Sequence, residues 1–129
     1  MRTVKSIDTE DYSIFLEEHV TVTRFHNELD VSMAMRAIDK VVELDVTGRR
    51  LWDITQCLIL NVEQIRQIAE YGKAKESMPV KVAGIAADHL SFGLLRMLGV
   101  YRTQEDFVFS VFRNEQEARA WLLDGVQDQ

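Results

Sequence analysis

Asp106 to Gly125 reads DFVFSVFRNEQEARAWLLDG, and this stretch decides the fold class. Phe107 to Phe112 is a run of aromatic and β-branched residues, which predicts a strand. Asn114 with Glu117 three residues on has the spacing of a capping box, where each side chain satisfies a backbone N–H left free by the first helical turn. Ala118, Trp121 and Leu122 then recur at helical spacing and predict the inward stripe of a short final helix.

The same alternation runs back through the chain. Val80 to Ala87 has little polar alternation and suits an interior strand covered on both faces. Asp88 predicts the N-cap of a helix reaching Leu98, with Gly99 as the left-handed residue that ends it. Asn61 with Gln64 predicts a second capping box, and Val62, Ile65, Ile68, Ala69 and Gly72 mark that helix's buried face. Arg50 to Thr55 predicts a strand, preceded by a break at Thr47-Gly48. Asp30 predicts the cap of a helix through Leu44, with Ala34, Ile38, Val41 and Val42 inward. Tyr12 to Leu16 and Val20 to Phe25 lie so close together that they predict an antiparallel hairpin. Val4 to Ile7 predicts a further edge strand.

Strands separated by helices favour parallel neighbours. The expected fold is therefore α/β: a mixed, mostly parallel sheet with an N-terminal antiparallel hairpin and about four helices. The 129 residues suit one domain, 1–129, without linker or repeat. Apolar residues make up 47% and charged residues 28%, an ordinary globular balance.

The ordered elements resemble the SpoIIAA-like fold, shared by STAS domains and, more distantly, CRAL-TRIO lipid-transfer domains. Four segments carry the resemblance: Leu51-Trp52-Asp53-Ile54-Thr55; Lys81-Val82-Ala83-Gly84-Ile85-Ala86; Gly93-Leu94-Leu95-Arg96-Met97; and Phe112-Arg113-Asn114-Glu115 followed by Glu117-Ala118 and Trp121-Leu122. Together they span roughly Tyr12 to Leu123. The resemblance implies a binding or regulatory module. Phospho-switched STAS domains carry Asp-Ser-Ser-Gly at the start of the helix after the central strand. This chain has Leu60-Asn61-Val62-Glu63 there, with no hydroxyl to phosphorylate, so the switch does not carry over.

Composition narrows the function further. A net charge of −6 disfavours nucleic acid as a partner. Arg49-Arg50, Lys73, Lys75 and Lys81 read as solvated surface. No apolar run approaches the roughly 20 residues of a membrane span. Met1 to Glu18 lacks a basic start followed by a long apolar run. The single cysteine, Cys57, fits a reducing compartment, so a cytoplasmic location is expected.

No catalytic residue, metal ligand or cofactor is identified. His19, His26 and His89 lack metal-ligand spacing, and no nucleophile elbow, P-loop or dinucleotide fingerprint is present. Asp53 has no second carboxylate placed to form an acid/base pair. The segment after Asp88 is unusual, because Leu90, Phe92, Leu94, Leu95, Met97 and Leu98 run almost all the way round the helix. Such a helix buries more than one face, pinned between the sheet and its neighbours, set against a partner or forming one wall of a pocket. Two readings lead, with an enzyme the weakest third because active sites assemble in three dimensions. One is a non-enzymatic regulatory module working through protein contacts, expected to be a homodimer through Leu94, Leu95 and Leu98. The other is a carrier or sensor of a small apolar or amphipathic ligand, in a pocket near residues 89–101 formed by His89, Phe92, Arg96, Tyr101 and Cys57.

Overall fold

Glu18 and His19 both adopt left-handed backbone angles, φ 49° and 69°. That is the turn a two-residue hairpin needs to match the strand twist. It joins β2 (Tyr12–Glu17) to β3 (Val20–Phe25), and Arg49 Nε donates to the His19 carbonyl at 2.9 Å to brace it. Outside them lies β1 (Ser6–Asp8), antiparallel to β2. A computed structural model describes residues 6–27, 29–56, 61–76, 79–102 and 106–126.

After the hairpin, strands and helices alternate as expected. They run α1 (Val31–Leu44), β4 (Arg49–Asp53), α2 (Val62–Lys75), β5 (Val80–Ile85), α3 (His89–Tyr101), β6 (Phe107–Phe112) and α4 (Glu115–Leu123). The six strands lie in sequence order, β1 to β3 antiparallel and β3 to β6 parallel. A helix of thirteen or fourteen residues separates each pair of parallel neighbours, which is what a crossover to a parallel strand requires.

The caps form as predicted. Asp30 Oδ1 accepts from the Met33 N–H at 2.7 Å, and Asp88 Oδ1 from the Ser91 N–H at 2.8 Å. Asn61 and Gln64 complete the reciprocal box. Asn114 accepts from the Glu117 N–H at 2.9 Å, so half of the expected second box is present. Gly48 has φ 75°, a left-handed conformation that spares any Cβ a clash as α1 turns into β4.

Gly99 does not end its helix. The helix runs on to Tyr101, and Gly99 is needed for space: a Cβ there would lie 2.6 Å from Phe109 Cδ2. The missing side chain lets α3 sit down on β6.

Helices α1, α2 and α3 lie side by side on one face of the sheet, and α4 lies on the other. Under α4, Val20, Val22, Leu51, Ala83, Ala118 and Leu122 are almost fully buried, with Phe15, Phe112 and Trp121 around them. The Lys81 ammonium sits 4.5 Å from the Trp121 ring centre and donates to its carbonyl, so this lysine ties α4 to the sheet. The other face holds two packed groups, one under α1 around Phe25, Met33 and Val41, and one between the helices around Ile38, Ile68 and Leu94.

Candidate functional site

Strand alternation decides what each side of β4 carries. Leu51 points toward α4, so Arg50 and Trp52 point toward α1–α3. There they meet Ala34 and Ile38 of α1, Ile65, Ile68 and Ala69 of α2, and Leu94, Leu95 and Leu98 of α3. Ala34 and Ala69 are too short to fill the space between the helices and the sheet. The result is a cavity of about 90 Å³ with walls that are almost wholly apolar.

One end of the cavity is charged. Arg50 Nε donates to Asp45 Oδ2 at 2.8 Å, and its two terminal nitrogens donate to Glu76 Oε1 and Oε2 at 2.6 and 3.2 Å. Arg102 completes the group, 3.8 Å from Glu76 and 3.8 Å above the centre of the Phe107 ring. All four side chains are buried, none more than 7% exposed.

Burial pushes the Asp45 carboxyl up, but hydrogen bonds from Arg50, Thr47 and Thr21 outweigh it and hold the pKa below the ordinary 3.8. Desolvation pushes the Arg102 guanidinium down to about 10, with Glu76 opposing and Arg50 assisting. Two guanidinium groups face two carboxylates, so the charges balance. The cavity thus has a polar floor without excess charge.

The outer side of α3 is different. Phe92, Arg96, Gly99 and Val100 face Phe109, Ser110 and Val111 across an open groove along β6. At its end Arg113 meets His89 Nδ1 at 2.9 Å and lies 4.5 Å from the centre of the Phe92 ring. The Asp88 carboxyl is held low, first by the Ser91 backbone N–H.

The structure places the expected residues in different parts of the fold. Leu94 and Leu95, expected at an interface, are each 7% exposed and line the cavity, as does Leu98. Phe92 and Arg96, expected in a pocket, line the outer groove, and His89 is exposed. Tyr101 is half-buried in the packing between helices. Cys57 lies outside the described residues.

Sequence reasoning missed the buried ion group. Arg50, read as surface, is 4% exposed. The available signal was alternation: in Arg49-Arg50-Leu51-Trp52 one arginine must share a side with Trp52. Lys81, also read as surface, is part-buried on Trp121.

Two further clusters lie outside the cavity. Arg24 bridges Asp53 at 2.7 Å and Glu115 at 2.9 Å, so a second carboxylate does stand near Asp53. The Arg24 hydrogen bond is the main cause holding Glu115 low, so Glu115 is an ion-pair partner of Arg24 and not an acid with a raised pKa. Ser13 Oγ lies 2.7 Å from both Asp8 Oδ1 and His26 Nε2. Its one proton goes to Asp8, so the histidine is not poised to take it, as nucleophile activation demands. Among the described residues no group of three or more His, Cys, Asp or Glu side chains is arranged to hold a metal.

No family model and no curated protein matches the chain. A solved structure does: an uncharacterized protein of the DUF3478 family with a SpoIIAA-like fold, from Shewanella loihica PV-4. The two share 16% sequence identity, with a TM-score of 0.56 over 93% of this chain and 92% of that one. Strand order, the antiparallel hairpin and this likeness agree that the chain adopts the SpoIIAA-like fold.

Proposed function

We propose that the protein is a non-enzymatic binding module whose working part is the cavity between the sheet and α1–α3, and that it carries or senses a small apolar ligand there. One observation carries this reading: α3 turns Leu94, Leu95 and Leu98 into an apolar cavity that the core does not fill. Tight packing is the rule in protein interiors, and apolar voids of this kind cost stability.

The volume sets the size of the ligand. About 90 Å³ falls well below the roughly 300–1,000 Å³ of pockets for drug-sized molecules, so the fit is a single ring or a short alkyl chain. The balanced charges at the floor favour a neutral polar end over a carboxylate, because Arg50 and Arg102 already face Asp45 and Glu76.

Trp52 lines the cavity, whereas Trp121 lies on the opposite face. In a Trp121→Phe variant, 1-hexanol is expected to change Trp52 emission saturably, and hexanoate to do so more weakly. Ala69→Phe is expected to abolish the response by filling the space. Native mass spectrometry of freshly purified protein then reads any retained small ligand. No saturable response, together with no added mass, would sink this reading.

Protein contact is the second reading. It is supported by apolar side chains exposed at the two ends of α3, Leu90 at 63% and Val100 at 71%. A cytoplasmic setting belongs to the proposal; the lone Cys57 suits a reducing compartment. Among the described residues no helix is long and apolar enough to cross a membrane.

A further inference from the structure

The two edges of the sheet are unequal. At one edge β1 is three residues long and carries Asp8, a charge that discourages further pairing. At the other edge β6 presents six residues, Phe-Val-Phe-Ser-Val-Phe, without a charge or a proline. Proteins that keep such an edge unpaired usually blunt it with lysine, proline or a bulge. Val108 on this strand is 51% exposed.

The hydrogen bonds show which backbone groups of β6 turn toward β5. The Asp106 carbonyl accepts from the Val80 N–H, and the Phe112 carbonyl from the Ala86 N–H. Even-numbered residues therefore face β5. By alternation, the N–H and C=O of Phe107, Phe109 and Val111 face away from the sheet. Among the described residues no strand lies beyond them.

We propose that β6 is the surface through which two copies of this chain pair, antiparallel, to continue one sheet across a two-fold axis. The charges at its ends favour a second copy. Asp106 stands just before the strand and Arg113 just after it, with no charge between them. Antiparallel pairing brings the acidic start of each strand beside the basic end of the other. A parallel arrangement would set like against like.

Geometry then limits the register. An axis perpendicular to the sheet keeps α1–α3 on the same side in both copies, so paired residues must share a face. With the outward bonds on odd-numbered residues the axis passes through a residue, and Phe109 and Ser110 are the two at the middle of the strand. Centring on Phe109 sets Phe107 of one copy opposite Val111 of the other. Three hydrogen-bonded pairs exchanging two bonds each give about six bonds across the axis. The groove beside β6, between Phe92, Val100 and Phe109, receives the side chains of the second strand.

This proposal is independent of the cavity reading, since none of the residues it uses lines the cavity except Phe107. Sedimentation equilibrium up to about 1 mM gives the subunit number and the dissociation constant. The wild type is expected to dimerise. Val108→Lys, at a side chain already half in solvent, is expected to raise the dissociation constant by at least about tenfold without lowering the melting temperature of the monomer. Hydrogen exchange by NMR gives a second reading without any variant. The Phe109 and Val111 amides are expected to gain protection as concentration rises, while other exposed amides do not. A wild type that stays monomeric overturns the proposal. So does a dimer that Val108→Lys leaves equally tight, or one in which these two amides stay fast.

Discussion

The two faces of the sheet are filled in opposite ways. Under α4 a cluster of apolar side chains is almost fully buried, and the charges stand at the rim, where Arg24, Asp53, Glu115 and Arg119 reach solvent. Under α1–α3 the charges lie in the interior and a void remains beside them. Voids and buried ions each cost stability, and this face holds both. The α4 face reads as scaffold, and the α1–α3 face is the one that holds the proposed ligand cavity.

The sharpest way to break this contrast is at Asp45. Asp45→Ala removes the acceptor of Arg50, Thr21 and Thr47 at once. It is expected to cost about 3–5 kcal/mol by urea unfolding, because a buried guanidinium loses a partner. The pH dependence has a fixed sign. The Asp45 pKa is depressed on folding, so its contribution is complete above the unfolded value near 3.8 and is lost as pH falls through the folded value. The stability gap between wild type and Asp45→Asn should therefore narrow below about 3.8. A gap that is constant across that range would remove Asp45 from the account.

Truncation tests packing on each side. Leu122→Ala under α4, where the side chain is 1% exposed in close packing, is expected to cost about 3–4 kcal/mol. Leu94→Ala borders space that is already empty, so fewer contacts are lost and about 2–3 kcal/mol is expected. Reversed magnitudes would mean that the α1–α3 face is the better packed one. Ala69→Leu reads the same void from the other direction. A larger side chain in a full core costs about 1–3 kcal/mol, whereas here a change within about 1 kcal/mol is expected.

Much of this architecture was legible in the chain because its signals are local. Caps at Asp30, Asn61, Asp88 and Asn114 each lie within three residues of their partners, and the hairpin is joined by two residues. The site was less legible because its groups come from distant segments. Asp45, Arg50, Glu76 and Arg102 spread over most of the chain, and none carries a motif. Helix α3 shows the limit most plainly. Its apolar residues circle the axis, so periodicity could not say which side would face in. Gly99 misled for a related reason: glycine marks helix ends, but here its value is the room it gives Phe109 of a strand not yet formed when the helix is read.

The smallest expected effect lies at the rim of the scaffold face. Arg24 holds Asp53 and Glu115 with its side chain 30% exposed, and its guanidinium lies 5.7 Å from the centre of the Phe15 ring. Arg24→Met keeps most of the stem and removes the charge. Exposed or half-exposed pairs contribute little, so a loss of about 1 kcal/mol or less is expected. Glu115 should then titrate closer to an ordinary carboxyl, because the first cause of its depression is gone. Salt gives the decisive comparison. At about 1 M ionic strength the Debye length falls to about 3 Å, so the gap between wild type and Arg24→Met should shrink. The Asp45 gap should hardly move, since that carboxylate is out of reach of solvent ions. If both gaps respond alike, the two networks are equally wet, and the distinction between a rim charge and a cavity charge fails.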